Sequence, residues 1–212
     1  MDVCRMTLLL MVAVTLVAMS LGCYCGLRHP QQIFCESDFV VKVHVMEMEE
    51  VYDNSIPRHS FPLQVVYTVD IDKVYKQSDK FNNADHLHLL TGGSEGTCRQ
   101  DLQVGHSYVI MGNVHDGSMH LHLCDWTSRV EDLTEHRIRG LRYKYRKGCN
   151  CEIKRCFGDQ CNNLSNQNDT CPWRNVNECE VEYGFCTNRP DTGCSWRRNG
   201  MRRGCLESLN IA

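Results

Sequence analysis

Cysteine usage constrains the fold of this chain more than any other feature. Fifteen of the 212 residues are cysteine, and removal of a leader that contains Cys4 leaves fourteen (15 minus 1). An even number of cysteines in an exported chain predicts seven disulfides, formed in an oxidising compartment. Spacing alone does not choose among the roughly 10⁵ ways of pairing fourteen cysteines.

Residues 1–22 have the pattern of a secretory signal peptide. Arg5 precedes an apolar run over residues 8–19, and small residues follow, ending at Gly22. The run is too short to span a bilayer. Cleavage after Gly22 makes Cys23 the first residue of a mature chain and leaves its α-amino group free. We therefore expect a secreted protein of the extracellular space.

Charge and composition exclude several classes of protein. The net charge is −3 and 42% of the residues are hydrophobic. Neither value predicts disorder, a membrane span or a nucleic-acid partner. Asn163 and Asn168 each begin an Asn-x-Ser/Thr sequon and are candidates for N-glycosylation, which is consistent with secretion.

The density of cysteines changes near residue 149 and predicts two domains. Five cysteines are spread from Cys23 to Cys124, whereas nine fall between Cys149 and Cys205. The first domain, residues 23–149, is long enough to bury an apolar core. The second, residues 150–212, is small and depends on disulfides because its core supplies too little burial.

Alternating apolar residues place the first domain in the mainly β class. Val41, Val43 and Val45 alternate with polar or flexible residues, as in a half-buried strand. Similar patterns predict four more strands, at residues 65–71, 87–89, 108–111 and 119–123. Five strands with few helices are typical of a small closed barrel.

Local signals add short helices and one tight turn. Pro30 suits the first turn of a helix that begins after His29. Residues 133–145 repeat apolar positions at helical spacing, with Asp132 or Thr134 as the N-cap. Asp116-Gly117 predicts a tight turn between the last two strands.

Three motifs suggest other chemistry, but each is only weak evidence for it. Residues 92–96 match the Gly-x-Ser-x-Gly string of a hydrolase, but no helix or parallel sheet is predicted around them, so we interpret them as a loop. The pairs His86/His88 and His120/His122 lack further metal ligands at fixed spacing, and we interpret them as solvent-facing. The cysteines at 149, 151, 156 and 161 lack paired Cys-x₂-Cys units, so disulfides are favoured over zinc.

Two basic segments are interpreted as solvated faces, with acidic matrix glycans as a candidate partner. They contain Arg137, Arg139, Arg142, Lys144, Arg146 and Lys147, and Arg197, Arg198, Arg202 and Arg203.

The run Cys23-Tyr-Cys25-Gly-Leu-Arg-His-Pro-Gln-Gln-Ile-Phe-Cys35 closely resembles the N-terminal signature of tissue inhibitors of metalloproteinases. The resemblance continues through Cys98, the segment 115–124, the junction at 148–151 and the cysteines beyond it. It implies a five-stranded oligonucleotide/oligosaccharide-binding-type (OB-fold, netrin-like) barrel with short helices, followed by a small disulfide-rich C-terminal domain.

The resemblance also implies how the cysteines pair. The implied disulfides are Cys23–Cys98, Cys25–Cys124, Cys35–Cys149, Cys151–Cys194, Cys156–Cys161 and Cys171–Cys186. Cys179 and Cys205 have no place in the twelve-cysteine family pattern, and we pair them with each other. The chain departs from the family at Tyr24, where Ser or Thr is usual, and at Leu27, where Pro is common.

By resemblance the chain is not an enzyme but an inhibitor that binds secreted zinc metalloendopeptidases of the matrix metalloproteinase type in a one-to-one complex. It has no cofactor of its own. The free amine and carbonyl of Cys23 chelate the protease's zinc. The inhibitory ridge comprises Tyr24, Cys25, Gly26 and Leu27 together with Glu95, Gly96, Thr97 and Cys98. The alternative is a netrin-like module that binds matrix or a growth factor, with weak or no protease inhibition.

Overall fold

The computed structural model describes residues 23–53, 62–165, 167–174 and 178–209. The signal-peptide prediction at residues 1–22 lies outside the described residues. The strands are β1 (Phe39–Val51), β2 (Gln64–Gln77), β3 (Asp85–Gly92), β4 (Ser107–His115), β5 (Ser118–His120), β6 (Trp126–Arg129), β7 (Glu152–Cys156), β8 (Thr170–Arg174), β9 (Cys186–Arg189) and β10 (Gly193–Trp196). The helices are α1 (Pro30–Glu36), α2 (Asp79–Asn82), α3 (Glu135–Arg139), α4 (Gln160–Ser165), α5 (Glu178–Tyr183) and α6 (Gly200–Ser208).

Five strands close into a barrel in the order β1-β2-β3-β5-β4, because β4 also pairs with β1. The β3–β5 pairing is parallel and the other four are antiparallel. Alternate residues of β1 and β2 point inward, which leaves Val43, Val45 and Val65 at most 1% exposed. The prediction of a mainly β protein with a closed five-stranded barrel is therefore confirmed.

Two apolar residues of the predicted strands are exposed and not buried. Leu87 is 53% exposed, because β3 pairs with β2 only from His88 onward. Leu123 is 42% exposed, because β5 ends at His120 and the chain then turns. The turn predicted at Asp116-Gly117 is confirmed, with positive φ values of 49° and 76°.

A second apolar layer lies outside the barrel, between β1, β4, helix α1 and the C-terminal part of the chain. Its buried members are Ile33, Phe34, Val40, Val109, Met111, Leu141, Tyr145 and Phe185. The predicted helix start is confirmed, since His29 caps α1 and Pro30 occupies its first turn. Thr134, one of the two proposed N-caps, accepts a hydrogen bond from the Arg137 backbone N–H, and α3 continues through a π-helical turn and a 3-10 turn to Gly148.

Disulfides hold the C-terminal part together around a small core of Ile153 and Trp173. Cys151–Cys194, Cys156–Cys161 and Cys171–Cys186 lie within this part, and Cys35–Cys149 ties α1 to the junction. Cys179–Cys205 joins α5 to α6 across a Cα–Cα distance of 5.7 Å. These cysteines are all paired in the structure, so the four at 149, 151, 156 and 161 do not form a zinc site.

Candidate functional site

The segment before α1 runs across the surface without regular secondary structure. Residues 24–27 are all exposed, and the Tyr24 side chain is 91% exposed. Leu27 is 54% exposed, although leucine side chains are usually buried. Since these apolar side chains contribute nothing to the core, the segment is available for contact with another molecule.

A second exposed segment lies beside it, in the loop between β3 and β4. Glu95, Gly96 and Thr97 form a short 3-10 turn and are all exposed. The Thr97 hydroxyl accepts a hydrogen bond from the Ser94 N–H (2.9 Å), which fixes the start of the turn. Cys98 ends the turn in the left-handed conformation, with φ at 61°.

Two disulfides join these segments to each other and to the barrel. Cys23 bonds to Cys98 with a Cα–Cα distance of 5.5 Å, and Cys25 bonds to Cys124 with 5.1 Å. The Leu123 N–H donates to the Cys98 carbonyl (2.9 Å). The disulfide Cys23–Cys98 therefore holds residues 23–27 beside residues 95–98, and these two segments together are called the ridge. The inhibitory role of these residues stays a prediction.

Arg99 fixes the position of the loop that carries residues 95–98, and the sequence did not reveal this role. Its guanidinium donates to the Glu50 carboxylate at the end of β1 (3.1 Å), to Asp101 (2.6 Å) and to the Gly93 carbonyl (3.3 Å). These hydrogen bonds tie the chain on both sides of residues 94–98 to β1. An arginine directly after a ridge cysteine was the only available signal.

The Gly-Gly-Ser-Glu-Gly string has a structural explanation. A Cβ at Gly92 would lie 2.1 Å from the Thr97 carbonyl oxygen, and one at Gly93 would lie 1.8 Å from the Pro62 carbonyl oxygen. Both glycines are therefore required by close backbone approach. The barrel strands on either side are largely antiparallel and only a three-residue turn follows, which does not build a nucleophile elbow.

The histidine pair on β3 is occupied by local contacts. The His86 ring stacks on Phe81 at 4.3 Å and hydrogen-bonds the Phe81 carbonyl (2.6 Å). His88 pairs with Asp85, at 2.6 Å between Nδ1 and the carboxylate. The hydrogen bond to His88 also holds the pKa of Asp85 below its ordinary value. These two rings do not share a ligand position.

The charge of Arg197, in the second basic segment, acts on Lys144 in the first. Burial lowers the pKa of Lys144, and the charges of Arg197, Lys147 and Arg139 lower it further. Arg137 is already paired with Glu182 (2.6 Å) and Arg202 with Glu180 (2.7 Å).

Both sequon asparagines are exposed, Asn163 on α4 and Asn168 in the following turn. Thr170 of the second sequon is buried, and its hydroxyl donates to Asp169 (2.9 Å). Glycosylation at either asparagine stays a prediction.

Within the described residues, no helix is long and apolar enough to cross a membrane.

The family model described as "Tissue inhibitor of metalloproteinase" matches residues 21–196. Metalloproteinase inhibitor 2 of Homo sapiens is 30% identical over 209 residues, covering 92% of this chain and 90% of that protein. The Rattus norvegicus protein of the same name gives the same identity and coverage, and the Gallus gallus protein is 30% identical over 90% of this chain and 87% of its own length. The chain therefore belongs to the tissue inhibitor of metalloproteinase family, whose members are inhibitors and not enzymes.

Proposed function

We propose that this chain is a secreted inhibitor that blocks zinc metalloendopeptidases by placing the mature N-terminus, Cys23, on the catalytic zinc of the protease. One observation carries the proposal. Residues 24–27 form an exposed segment without regular secondary structure, and Cys23 before it is cross-linked to the second exposed segment through Cys23–Cys98. An exposed segment that is not part of a helix or a sheet suits a substrate cleft that is built to bind peptides.

The chemistry depends on cleavage of the leader at Gly22. A free α-amine and the carbonyl of the same residue can close a five-membered chelate ring on a metal ion, whereas an amide nitrogen cannot. A catalytic zinc has three protein ligands and one open position, which normally holds water. The amine must be neutral to donate its lone pair. At an ordinary pKa of about 7.7–8.0, deprotonation at pH 7 costs roughly 1 kcal/mol.

The disulfides supply preorganisation. Cys23 and Cys25 are each anchored, to Cys98 and Cys124, so the backbone between them is fixed before any protease binds. Binding then loses less conformational entropy, which increases affinity without adding a contact. No bond is cut, since the ridge holds no nucleophile paired with a general base.

The remaining ridge residues contact the cleft on either side of the zinc. Tyr24, which is 91% exposed, enters the specificity pocket beside the metal. Glu95, Gly96 and Thr97 lie along the other half of the cleft. An open depression of about 680 Å³ adjoins this segment. Its charged lining residues are Glu50, Glu95, Asp101 and Arg99, so negative charge is in excess. This depression suits basic side chains at the rim of a protease.

The decisive experiment alters only the nitrogen of Cys23. We compare the native start with a protein carrying one additional alanine before Cys23, and with a protein acetylated at the Cys23 amine. Both changes create an amide, so inhibition of a matrix metalloproteinase should fall by several orders of magnitude. A protein with one additional alanine at its C-terminus is the matched control and should inhibit like the native form.

Two further measurements make the result interpretable. Near-UV circular dichroism should show the same fold in all forms, and N-terminal sequencing of the secreted protein should begin at Cys23. An extended form that inhibits as well as the native one contradicts chelation. Weak inhibition by the native form itself would favour the alternative function, a netrin-like module that binds matrix or a growth factor.

A second candidate partner is an acidic matrix glycan. The run of basic residues from Arg137 to Lys147, together with the charge of Arg197 acting on Lys144, favours it, because clustered cations attract a polyanion. Retention on immobilised heparin tests this proposal. Retention should fall as salt rises, and it should fall further when Lys144 and Arg197 are both replaced by alanine.

A further inference from the structure

Three histidine rings gather at one end of the barrel, beside the ridge. His115 ends β4, His120 ends β5, and His122 follows two residues later. The ring centroids are 5.4 Å apart for His115 and His120, 6.4 Å for His115 and His122, and 6.3 Å for His120 and His122. The sequence showed only the second and third of these residues as a pair; the tight turn at Asp116-Gly117 adds His115.

The nitrogens of these rings have no other partner in the part of the chain that the structure describes. Among the described residues, none of the three rings makes a hydrogen bond to another group. Five other described histidines each use a ring nitrogen in a hydrogen bond: His29, His44, His86, His88 and His136.

The spacing of the rings is close to what a shared metal ion requires. With metal–nitrogen bonds of about 2.0–2.1 Å, each ring centroid lies about 3.2 Å from the ion, and two tetrahedrally placed rings are about 5.2 Å apart. The His115–His120 separation of 5.4 Å already meets this distance. The two separations to His122 are about 1 Å too long, but His122 is exposed and its ring is free to turn.

No group of three His, Cys, Asp or Glu side chains in the described part of the chain is already arranged as a complete ligand set. Formation of a complete three-histidine ligand set therefore needs a side-chain rotation at His122. Two carboxylates lie close to these residues, because Asp116 directly follows His115 and the Asp125 carboxylate is within hydrogen-bond distance of the His122 backbone, and negative groups favour a cation. Asp125 also accepts a hydrogen bond from the His122 backbone N–H (2.9 Å), which holds the backbone while the ring moves.

We propose that His115, His120 and His122 form a binding site for one divalent transition metal ion of the zinc or copper type. Imidazole nitrogen suits these borderline ions, whereas calcium and magnesium prefer oxygen ligands. The site belongs to this chain and is separate from the protease zinc, so it does not depend on the proposed function. His122 lies two residues before Cys124, and a bound ion would brace the turn whose Cys124 holds Cys25.

The test is a calorimetric titration of the full secreted protein with zinc chloride at pH 7.5. The Cys23 amine is acetylated first, so that it cannot contribute a ligand. We expect saturable binding of one zinc ion per chain. Replacing His115 or His122 by alanine should weaken that binding at least tenfold. His106→Ala is the matched control, since this ring also makes no hydrogen bond to a described residue but lies outside the cluster.

Two further readouts separate ligation from a structural effect. Cobalt titration should produce visible absorption of tetrahedral intensity in the native protein and not in His122→Ala. Lowering the pH to 5.5 should weaken zinc binding, because the imidazoles must be neutral to ligate. His122→Gln, which keeps a polar side chain, replaces the alanine variant if that protein does not fold.

The absence of one-to-one zinc binding overturns the proposal. So does an equal loss of binding in His106→Ala, or calcium binding of similar affinity, because either result means that the three imidazoles are not the ligands.

Discussion

The Gln31 side chain holds both backbone polar groups of Cys186. Its Nε2 donates to the Cys186 carbonyl (2.7 Å), and its Oε1 accepts from the Cys186 N–H (2.9 Å). Gln31 is 1% exposed and lies on α1, only eight residues after Cys23, whereas Cys186 belongs to the C-terminal part. The helix that follows the ridge thus also contacts the C-terminal part.

Replacing Gln31 by alanine should destabilise the protein by about 2–4 kcal/mol, because a buried donor and a buried acceptor on Cys186 lose their partner. Chemical denaturation measures the change. Gln77→Ala, at an exposed glutamine on β2, is the matched control and should change stability by less than about 0.5 kcal/mol. Similar losses in the two variants would mean that the hydrogen bonds to Cys186 add nothing.

His29 should make this contact sensitive to acid. Burial lowers the pKa of His29 to about 4, while its ring is enclosed by Trp173 and Trp196 and hydrogen-bonded to the Glu180 carbonyl. Between about pH 6.5 and 4 the unfolded chain therefore binds more protons than the folded one, and stability falls as the pH falls through this window. The full effect is roughly 3 kcal/mol.

Urea unfolding at pH 7.5 and pH 4.5 measures this effect. His29→Asn keeps an N-cap residue but removes the titrating ring, so its stability should change less between the two pH values than that of the native protein. His106→Asn serves as the control and should keep the native pH dependence. An unchanged pH dependence in His29→Asn would show that other groups cause the acid sensitivity.

A fragment of residues 23–149 should fold and keep the inhibitory activity. Every buried residue of the barrel core lies between Phe39 and Leu121, and the disulfides of Cys23, Cys25 and Cys35 all close within the fragment. It should unfold at a lower temperature than the full chain, because Tyr145 loses its contact with Phe185 (5.8 Å between ring centroids). An oxidised fragment without inhibitory activity would contradict this domain boundary.

The sequence predicts the barrel well and its outer contacts poorly. Alternation identified β1 and β2 because each has one face in the core and one in solvent, as in Val41 against Lys42. It missed β6, whose residues Trp126–Arg129 are all half-buried and show no alternation. The contact of Gln31 with Cys186 joins residues 155 apart through a buried polar side chain, for which no periodic signal exists.

The same distinction holds at the candidate site. The cysteines and the resemblance place Cys23 and Glu95 on one surface, because disulfide partners leave a recognisable order in the sequence. Arg99 and His115 carry no such signal. Their neighbours, Glu50 and His122, come close only when β1 and the hairpin of β4 and β5 take their places in the barrel.

Tyr24 should make the inhibitor selective among proteases. Its ring is far larger than the Ser or Thr that is usual in the family, so shallow specificity pockets should exclude it. Tyr24→Thr should improve binding to shallow-pocket proteases about tenfold or more, equivalent to roughly 1.4 kcal/mol. Deep-pocket proteases should bind equally or less well, because buried ring area is lost. Inhibition constants against both groups measure this, and equal shifts would show that Tyr24 does not enter the pocket.

Arg99→Ala should weaken inhibition about five- to twentyfold, roughly 1–2 kcal/mol, mainly through faster dissociation, because the loop carrying Glu95 loses its tie to Glu50. Stability should change little, since the Asp101 side chain is 76% exposed and such ion pairs contribute little. Arg99→Lys should restore part of the inhibition, and Arg155→Ala, at an exposed arginine on β7, should behave like the native protein. Unchanged dissociation in Arg99→Ala would exclude a positioning role.

The ridge contributes no side chain to any of the three apolar clusters described above, and two disulfides attach it to the barrel. Tyr24, Leu27, Glu95 and Gly96 can therefore be exchanged without repacking the interior, whereas Thr97 is needed to fix the turn. Most proteins that acquire a new specificity lose stability in doing so. In this chain the residues that set specificity are distinct from those that build the core, which makes these four positions suitable for a combinatorial library in which nearly every member folds.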